Sequence, residues 1–112
     1  MSQITTHVLD TSLGKPAEGL AIALQQLENG KWENIASGRT NADGRIANLL
    51  LPNESLVPGV YRMEFQTGEY YRELETRTFY PLVHIQFETF DREHYHVPLL
   101  LNPYGYSTYR GS

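Results

Sequence analysis

The chain has 112 residues, a length that suits one domain with its own core. Nine Lys and Arg against 13 Asp and Glu give a formal net charge of −4, which argues against nucleic acid or an anionic membrane as the partner. The absence of cysteine excludes disulfides, thiolate nucleophiles and thiolate metal sites. We therefore expect a single domain over residues 1–112.

No segment has the apolar length of a membrane span, which needs about 20 residues. The first ten residues, MSQITTHVLD, lack the basic start and apolar stretch of a signal peptide. The sequence therefore predicts a cytoplasmic protein with no membrane partner.

Runs of strand length alternate with turn residues along the whole chain, which is typical of an antiparallel sandwich or barrel. Asn29-Gly30 is a pair that tolerates the positive φ angles of a tight hairpin turn. It predicts that Leu20–Leu27 pairs with Trp32–Ser37.

Two further elements are predicted in the middle of the chain. The Asp-Gly pair that ends at Gly44 predicts a second hairpin, in which Trp32–Thr40 leads into Arg45–Leu50. The segment Glu69–Arg77 contains no Gly or Pro and spaces its apolar residues as a helix does, so we expect one short helix there.

The last third of the chain predicts two strands, Val83–Phe90 and Tyr95–Leu101. Apolar residues alternate with polar ones in both segments, so each strand should bury one face. On the second strand, His94, His96 and Pro98 fall on the face opposite the apolar one.

Two leucine runs, Leu49–Leu51 and Leu99–Leu101, are apolar on both faces of a strand. A half-exposed strand should alternate, so these runs favour a second copy of the chain as the cover of the outer face. Pro98 points the same way, because proline is confined to sheet edges and bulges. The alternative is that the leucines sit at sheet ends and close the core.

The spacing of His94 and His96 leaves three interpretations open. They can be surface residues without a role, a metal-binding pair, or include a general base, since a neutral imidazole accepts a proton near pH 7. Arg45 follows the predicted turn directly and is either a solvated charge at a strand end or a fixed cation that faces a pocket.

Three stretches resemble a known family: TTHVLDTSLGKPA (residues 5–17), RTNADGR (39–45) and HYHVPLLLNPYGYSTYRGS (94–112). Together they resemble the transthyretin-like 5-hydroxyisourate hydrolases of purine catabolism, and the terminal YRGS is the most diagnostic piece. The resemblance covers essentially the whole chain.

The resemblance implies an all-β, prealbumin-like (transthyretin-like) β-sandwich of two four-stranded sheets with one short α-helix. It also implies a homotetramer, a dimer of dimers with active sites at the dimer–dimer interface. The implied reaction needs neither a metal nor another cofactor. It converts 5-hydroxyisourate to 2-oxo-4-hydroxy-4-carboxy-5-ureidoimidazoline.

The family's functional residues fall on five positions of this sequence. The resemblance implies that His7, Arg45 and His96 are catalytic and that His7 and Arg45, with Tyr109 and Ser112, contact the substrate. His96 would be the base with His7 as its partner, or the reverse. A ligand carrier on the same fold and a small interaction module are the other two classes that fit a sandwich of this size.

Overall fold

The computed structural model describes residues 2–112 and consists of two four-stranded sheets and one short helix. In chain order the elements are β1 (Ile4–Asp10), β2 (Lys15–Pro16), β3 (Ala21–Glu28), β4 (Lys31–Arg39), β5 (Gly59–Phe65), α1 (Thr67–Glu73), β6 (Val83–Thr89), β7 (Tyr95–Asn102) and β8 (Gly105–Thr108). The first sheet has the order β2-β1-β7-β8 and the second β4-β3-β5-β6. The pairing of β1 with β7 is parallel, and the other pairings between these strands are antiparallel.

The core lies between the two sheets and confirms the predicted alternation. In β6 and β7 the apolar face is directed inward, while His84 and His96 belong to the outward faces. Among the residues with no more than 2% exposure are Ile4, Val8, Leu24, Tyr61, Met63, Phe65, Val83, Leu99 and Leu101. In the part of the chain that the structure describes, no helix has the length and apolar character needed to cross a membrane.

The first predicted hairpin is confirmed. β3 and β4 pair antiparallel, with Leu27 opposite Trp32. Asn29 and Gly30 form the turn, with φ angles of 52° and 75°. Those positive values are the ones a two-residue hairpin of this twist demands, so the sequence signal and the backbone agree.

The second predicted hairpin is wrong, because Arg45–Leu50 is not a strand. The turn forms as expected, with Gly44 at φ 74°. The chain then leaves the second sheet, and the Gly44 carbonyl accepts a hydrogen bond of 2.9 Å from the Val8 amide in the first sheet. Arg45 makes an isolated antiparallel bridge with His7. This loop therefore connects the two sheets instead of returning along β4.

The helix is present but begins and ends earlier than Glu69–Arg77. It runs over Thr67–Glu73 and buries Tyr70 and Tyr71. Leu74, expected on the packed face, is 43% exposed. The helix cannot continue because Glu75 adopts a φ of 54°, which is incompatible with a right-handed helix.

The leucine runs do not behave alike. Leu49–Leu51 is not part of a strand: Leu49 and Leu50 are buried, and Leu51 is 60% exposed. Leu49 and Leu50 therefore belong to the core, as the alternative expected, whereas Leu51 does not. In β7, Leu99 and Leu101 are buried and Leu100 lies half-buried on the outer face.

Pro98 lies in an inner strand, which contradicts its predicted place at an edge or bulge. Its carbonyl oxygen accepts a 2.7 Å hydrogen bond from the Thr108 hydroxyl, so its peptide edge is directed toward β8. β8 ends at Thr108, which pairs with Leu99. The missing N–H of Pro98 therefore falls between the β8 ladder and the isolated bridge of His96 with Gly111, where the pairing is interrupted.

Candidate active site

His7 and Arg45 are brought together on the outer face of the first sheet. Arg45 Nη2 lies 3.4 Å from His7 Nδ1, across 38 residues of sequence. A guanidinium can only donate hydrogen bonds, so His7 Nδ1 is the acceptor. A neutral His7 then carries its proton on Nε2, where it can donate to a ligand.

His96 lies beside this pair because of the parallel register of β1 and β7. That register pairs Thr5 with His96 and His7 with Pro98, and all of these side chains belong to the outer face. The half-buried His96 ring places Nδ1 at 2.7 Å from the Thr5 hydroxyl. Within residues 2–112, no hydrogen-bond partner occupies its Nε2. This nitrogen is therefore available to water or a ligand.

The surroundings of His96 favour its neutral form. Burial lowers the pKa of His96 from its ordinary value of 6.5, and the positive charges of Arg45, His94 and His7 lower it further. Burial removes water that would solvate an imidazolium, and a nearby cation opposes a second positive charge. His96 is therefore predominantly neutral at pH 7, the state in which it can accept a proton.

Two glycines allow the backbone to approach the histidines closely. A Cβ on Gly111 would overlap the His96 ring at Cδ2, and one on Gly44 would overlap the Val8 carbonyl oxygen and lie 3.4 Å from His7 Cδ2. The Gly111 amide also donates a 2.9 Å hydrogen bond to the His96 carbonyl. The C-terminal segment is thereby held against the His96 ring.

Tyr109 and Ser112 lie on either side of Gly111 at the edge of this site. Tyr109 is 60% exposed, and the terminal Ser112 is also exposed. Tyr109 and His96 line an apolar cleft of about 290 Å³ between β6 and β7, together with Phe87 and Tyr95. His96 lines this cleft, whereas His7 and Arg45 do not. The structure therefore groups His7, Arg45 and His96 on one face, and Tyr109 meets this group through the cleft that it shares with His96.

His94 shares the Thr5 hydroxyl with His96. Its Nε2 lies 2.8 Å from Thr5 Oγ1, and the two rings are 6.4 Å apart at an angle of 23°. Over residues 2–112, no three His, Asp or Glu side chains are grouped in a way that could hold a metal ion.

Sequence reasoning missed Thr5 and Gly111. A faint signal exists for Thr5, which is two residues from His7 and so shares its face of the strand. No pattern in the sequence indicates that β7 is the parallel partner of this strand.

A family model described as "HIUase/Transthyretin family" matches residues 4–111. This chain belongs to that family. A relative in Rhizobium meliloti, named 5-hydroxyisourate hydrolase 2, is 47% identical over 115 residues, which cover 98% of this chain and 96% of the relative. The resemblance found in the sequence is therefore confirmed.

Solved structures of HIUase/transthyretin proteins superpose on the whole chain. A Klebsiella pneumoniae 5-hydroxyisourate hydrolase matches with a TM-score of 0.84 and 37% identity, over 97% of this chain and 92% of its own. Sea bream transthyretin in complex with thyroxine matches with a TM-score of 0.91 and 32% identity, over 98% and 95%. The transthyretin-like fold is confirmed, and the hydrolase names of the full-length relatives confirm the predicted enzyme class.

Proposed function

We propose that this chain hydrolyses 5-hydroxyisourate to 2-oxo-4-hydroxy-4-carboxy-5-ureidoimidazoline in the degradation of urate, as a single domain over residues 1–112 and in the cytoplasm. The observation that carries the proposal is a neutral His96 on the same face as the His7–Arg45 pair. Relatives named 5-hydroxyisourate hydrolase that align along the full chain support the choice of substrate.

In this proposal His96 is the general base. Water attacks a ring carbonyl of the substrate and gives its proton to His96 Nε2, the imidazole nitrogen that Thr5 leaves free. A well-placed general base is worth about 10²–10⁴-fold in rate. The lowered pKa of His96 supports this role, because it keeps the ring neutral at pH 7.

Arg45 and His7 act on the developing negative charge and the leaving group. The Arg45 guanidinium is permanently charged and stabilises the oxyanion of the tetrahedral intermediate. His7 accepts a hydrogen bond from Arg45 at Nδ1, which supports a role as a hydrogen-bond donor through Nε2 to the leaving nitrogen. The proton that this nitrogen gains when the ring C–N bond breaks comes from the His96 imidazolium, which returns to its neutral form. The sequence left the two histidines interchangeable, and this contact favours His96 as the base.

Tyr109 and Ser112 complete the substrate contacts from the C-terminal segment. The Tyr109 ring offers a face on which a planar ring can stack and a hydroxyl that can hydrogen-bond. Every step uses water and side chains of this chain, so the proposed reaction requires no covalent intermediate, metal or other cofactor.

We also propose a homotetramer, a dimer of dimers, whose interface covers this face. Leu9 and Leu100 pair with each other on this face and are only half-buried. Arg45 is exposed on the same face. A second copy would exclude water from the site and strengthen its electrostatic interactions. Sedimentation of the purified protein tests this, and a monomer at working concentration contradicts it.

A ligand carrier is the second candidate. The apolar cleft beside Tyr109 favours it, and sea bream transthyretin, which shares the fold, was solved in complex with thyroxine. A carrier has no need of a neutral imidazole beside a guanidinium, so the two candidates differ at His96.

The deciding experiment follows the ultraviolet decay of 5-hydroxyisourate freshly generated from urate by urate oxidase. Wild type and His96→Ala are compared in the presence of a chelator, with circular dichroism as the check on folding. We expect rapid decay with wild type and near-background decay with His96→Ala. Background decay with folded wild type contradicts the hydrolase and leaves the carrier to be tested by ligand binding.

A further inference from the structure

The Thr5 hydroxyl joins two histidines. It lies 2.7 Å from His96 Nδ1 and 2.8 Å from His94 Nε2, and these are its only side-chain hydrogen-bond partners within residues 2–112. Thr5 sits in the middle of the contact because β1 and β7 pair it directly with His96. Both rings are half-buried and nearly parallel.

A proton count restricts the states of this trio. A hydroxyl has one hydrogen to donate, so between these two partners Thr5 donates to one nitrogen and accepts from the other. If Thr5 donates to His94 Nε2, His96 must hold its proton on Nδ1 and present a free Nε2. If Thr5 instead accepts from His94, it donates to His96 Nδ1, and a neutral His96 carries its proton on Nε2.

We infer that Thr5 and His94 are positioning residues that set the tautomer of His96. While His94 Nε2 is unprotonated, Thr5 holds His96 in the Nδ1–H form, whose Nε2 can accept a proton. When His94 Nε2 instead carries a proton, it donates to the Thr5 hydroxyl, Thr5 turns its hydrogen to His96 Nδ1, and the base is blocked. The inference rests on the proposed function only in calling His96 a base; the coupling of the two rings does not depend on it.

Charged side chains lie near both histidine rings. His96 faces His7 and Arg45 from β1 and the loop after Gly44, and the C-terminal segment packs on its other side through Gly111. Arg110, next in that segment, lies with its guanidinium carbon 4.6 Å from the centre of the Tyr95 ring. His94 lines a polar hollow that also contains Glu54 and Arg92.

The test is a measurement of imidazole tautomers by ¹⁵N NMR, which needs no substrate. In wild type above about pH 7, where a histidine is ordinarily neutral, we expect His96 protonated at Nδ1. Thr5→Val keeps the shape but lacks the hydroxyl, so His96 should change to the Nε2–H form. Thr5→Ser keeps the hydroxyl and should restore the wild-type tautomer.

Kinetics give a second readout. With Thr5→Val we expect kcat to fall by about 10–100-fold, the usual cost of losing a partner that orients a functional imidazole, while KM stays near wild type. Thr5→Ser should recover most of kcat. His94→Asn removes the imidazole nitrogen that accepts from Thr5, so Thr5 should donate to His96 Nδ1 and His96 should change to the Nε2–H form.

Three outcomes overturn the inference: an Nε2–H tautomer in wild type at neutral pH, a Thr5→Val variant with unchanged tautomer and kcat, or a Thr5→Ser variant as impaired as Thr5→Val. If Thr5→Val fails to fold, the tautomer of His96 in His94→Asn still decides the coupling. A wild type with the expected tautomer but no 5-hydroxyisourate turnover would contradict the proposed function and leave the coupling intact.

Discussion

The outer faces of the two sheets each present a histidine with a hydrogen-bond partner, but the partners differ in charge. On the second sheet, His84 Nε2 lies 2.9 Å from the Glu64 carboxylate. On the first sheet, His96 Nδ1 meets the neutral Thr5 hydroxyl, and a guanidinium lies nearby.

Arg62 and Arg45, one cation on each face, both lack a carboxylate partner within residues 2–112 and differ in the side chains that they contact. Arg62 on the second sheet stacks on Trp32 at 4.3 Å and donates from Nε to Gln25. Over residues 2–112, Arg45 has no carboxylate within salt-bridge distance, and its recorded side-chain partner is His7. A partnered charge is a surface feature, whereas a charge left free can act on a ligand. The surroundings of these side chains, and not their residue types, therefore distinguish the candidate active face.

The largest effect should come from the histidines. We expect His96→Ala to lower kcat/KM for 5-hydroxyisourate by about 10²–10⁴-fold, because the general base is lost. The matched change on the other face, His84→Ala, should leave the rate within about twofold of wild type. Comparable losses in both variants would remove the distinction between the faces.

The arginines give the next contrast. Arg45→Gln should reduce kcat by about 10²–10³-fold, the cost of losing one oxyanion donor. Arg62→Gln loses its stacking on Trp32 and costs about 0.5–1 kcal/mol of stability, with no change in kcat. Steady-state kinetics and urea unfolding of both variants measure the two quantities, and a normal kcat in Arg45→Gln would refute its role.

A smaller loss is expected where the backbone touches His96. Gly111→Ala places a Cβ into the His96 ring, so the imidazole must move. A displacement of about 1 Å can cost up to 10²-fold in rate. Gly105→Ala is the control, because its Cβ would lie 3.6 Å from the nearest Asn102 atom, an ordinary contact. Equal rates in the two variants would show that the close approach of Gly111 to the His96 ring does not affect activity.

The pH profile should report the cations around His96. Activity needs neutral His96, so it falls as pH drops through the pKa of His96, and the acidic limb of kcat/KM should lie below 6.5. Arg45→Gln removes a charge that lowers the pKa of His96. The acidic limb of the activity that remains in this variant should therefore move to higher pH. A limb that stays in place would contradict the electrostatic argument.

The smallest effect is expected for the pair on the second sheet. Glu64→Gln removes the carboxylate partner of His84, an exposed contact worth about 0–1 kcal/mol, and should leave kcat unchanged. Urea unfolding and the decay assay check the two halves of this prediction. A large loss of activity would mean that the second sheet communicates with the site.

Local signals in the sequence predicted the local structure well. The Asn29-Gly30 hairpin and the alternation in β6 and β7 depend on turn chemistry and a period of two, and both are confirmed. The Asp43-Gly44 pair shows the limit of such signals. It fixes the φ of the turn but not the sheet with which the following residues pair. The sequence therefore did not predict that the loop places Arg45 beside β1.

Part of the candidate site was beyond the reach of sequence patterns. The alternation in β7 predicted which face carries His96. The neighbours of His96 on that face depend on the parallel pairing of β1 with β7, two strands that no turn connects. Thr5 and Gly111 act through that register and through van der Waals contact. The roles of His7, Arg45 and His96 came from the family resemblance and not from their spacing.

The parallel pairing of β1 with β7 also sets when the site can form during synthesis. Thr5 and His96 are 91 residues apart, so the first strand emerges from the ribosome long before its partner exists. Contacts of such sequence separation form late and slow the folding of β-rich domains. The nascent chain therefore carries β1 without its β7 neighbour until residue 102 has been translated, and the contact between Thr5 and His96 cannot form before His96 has been added.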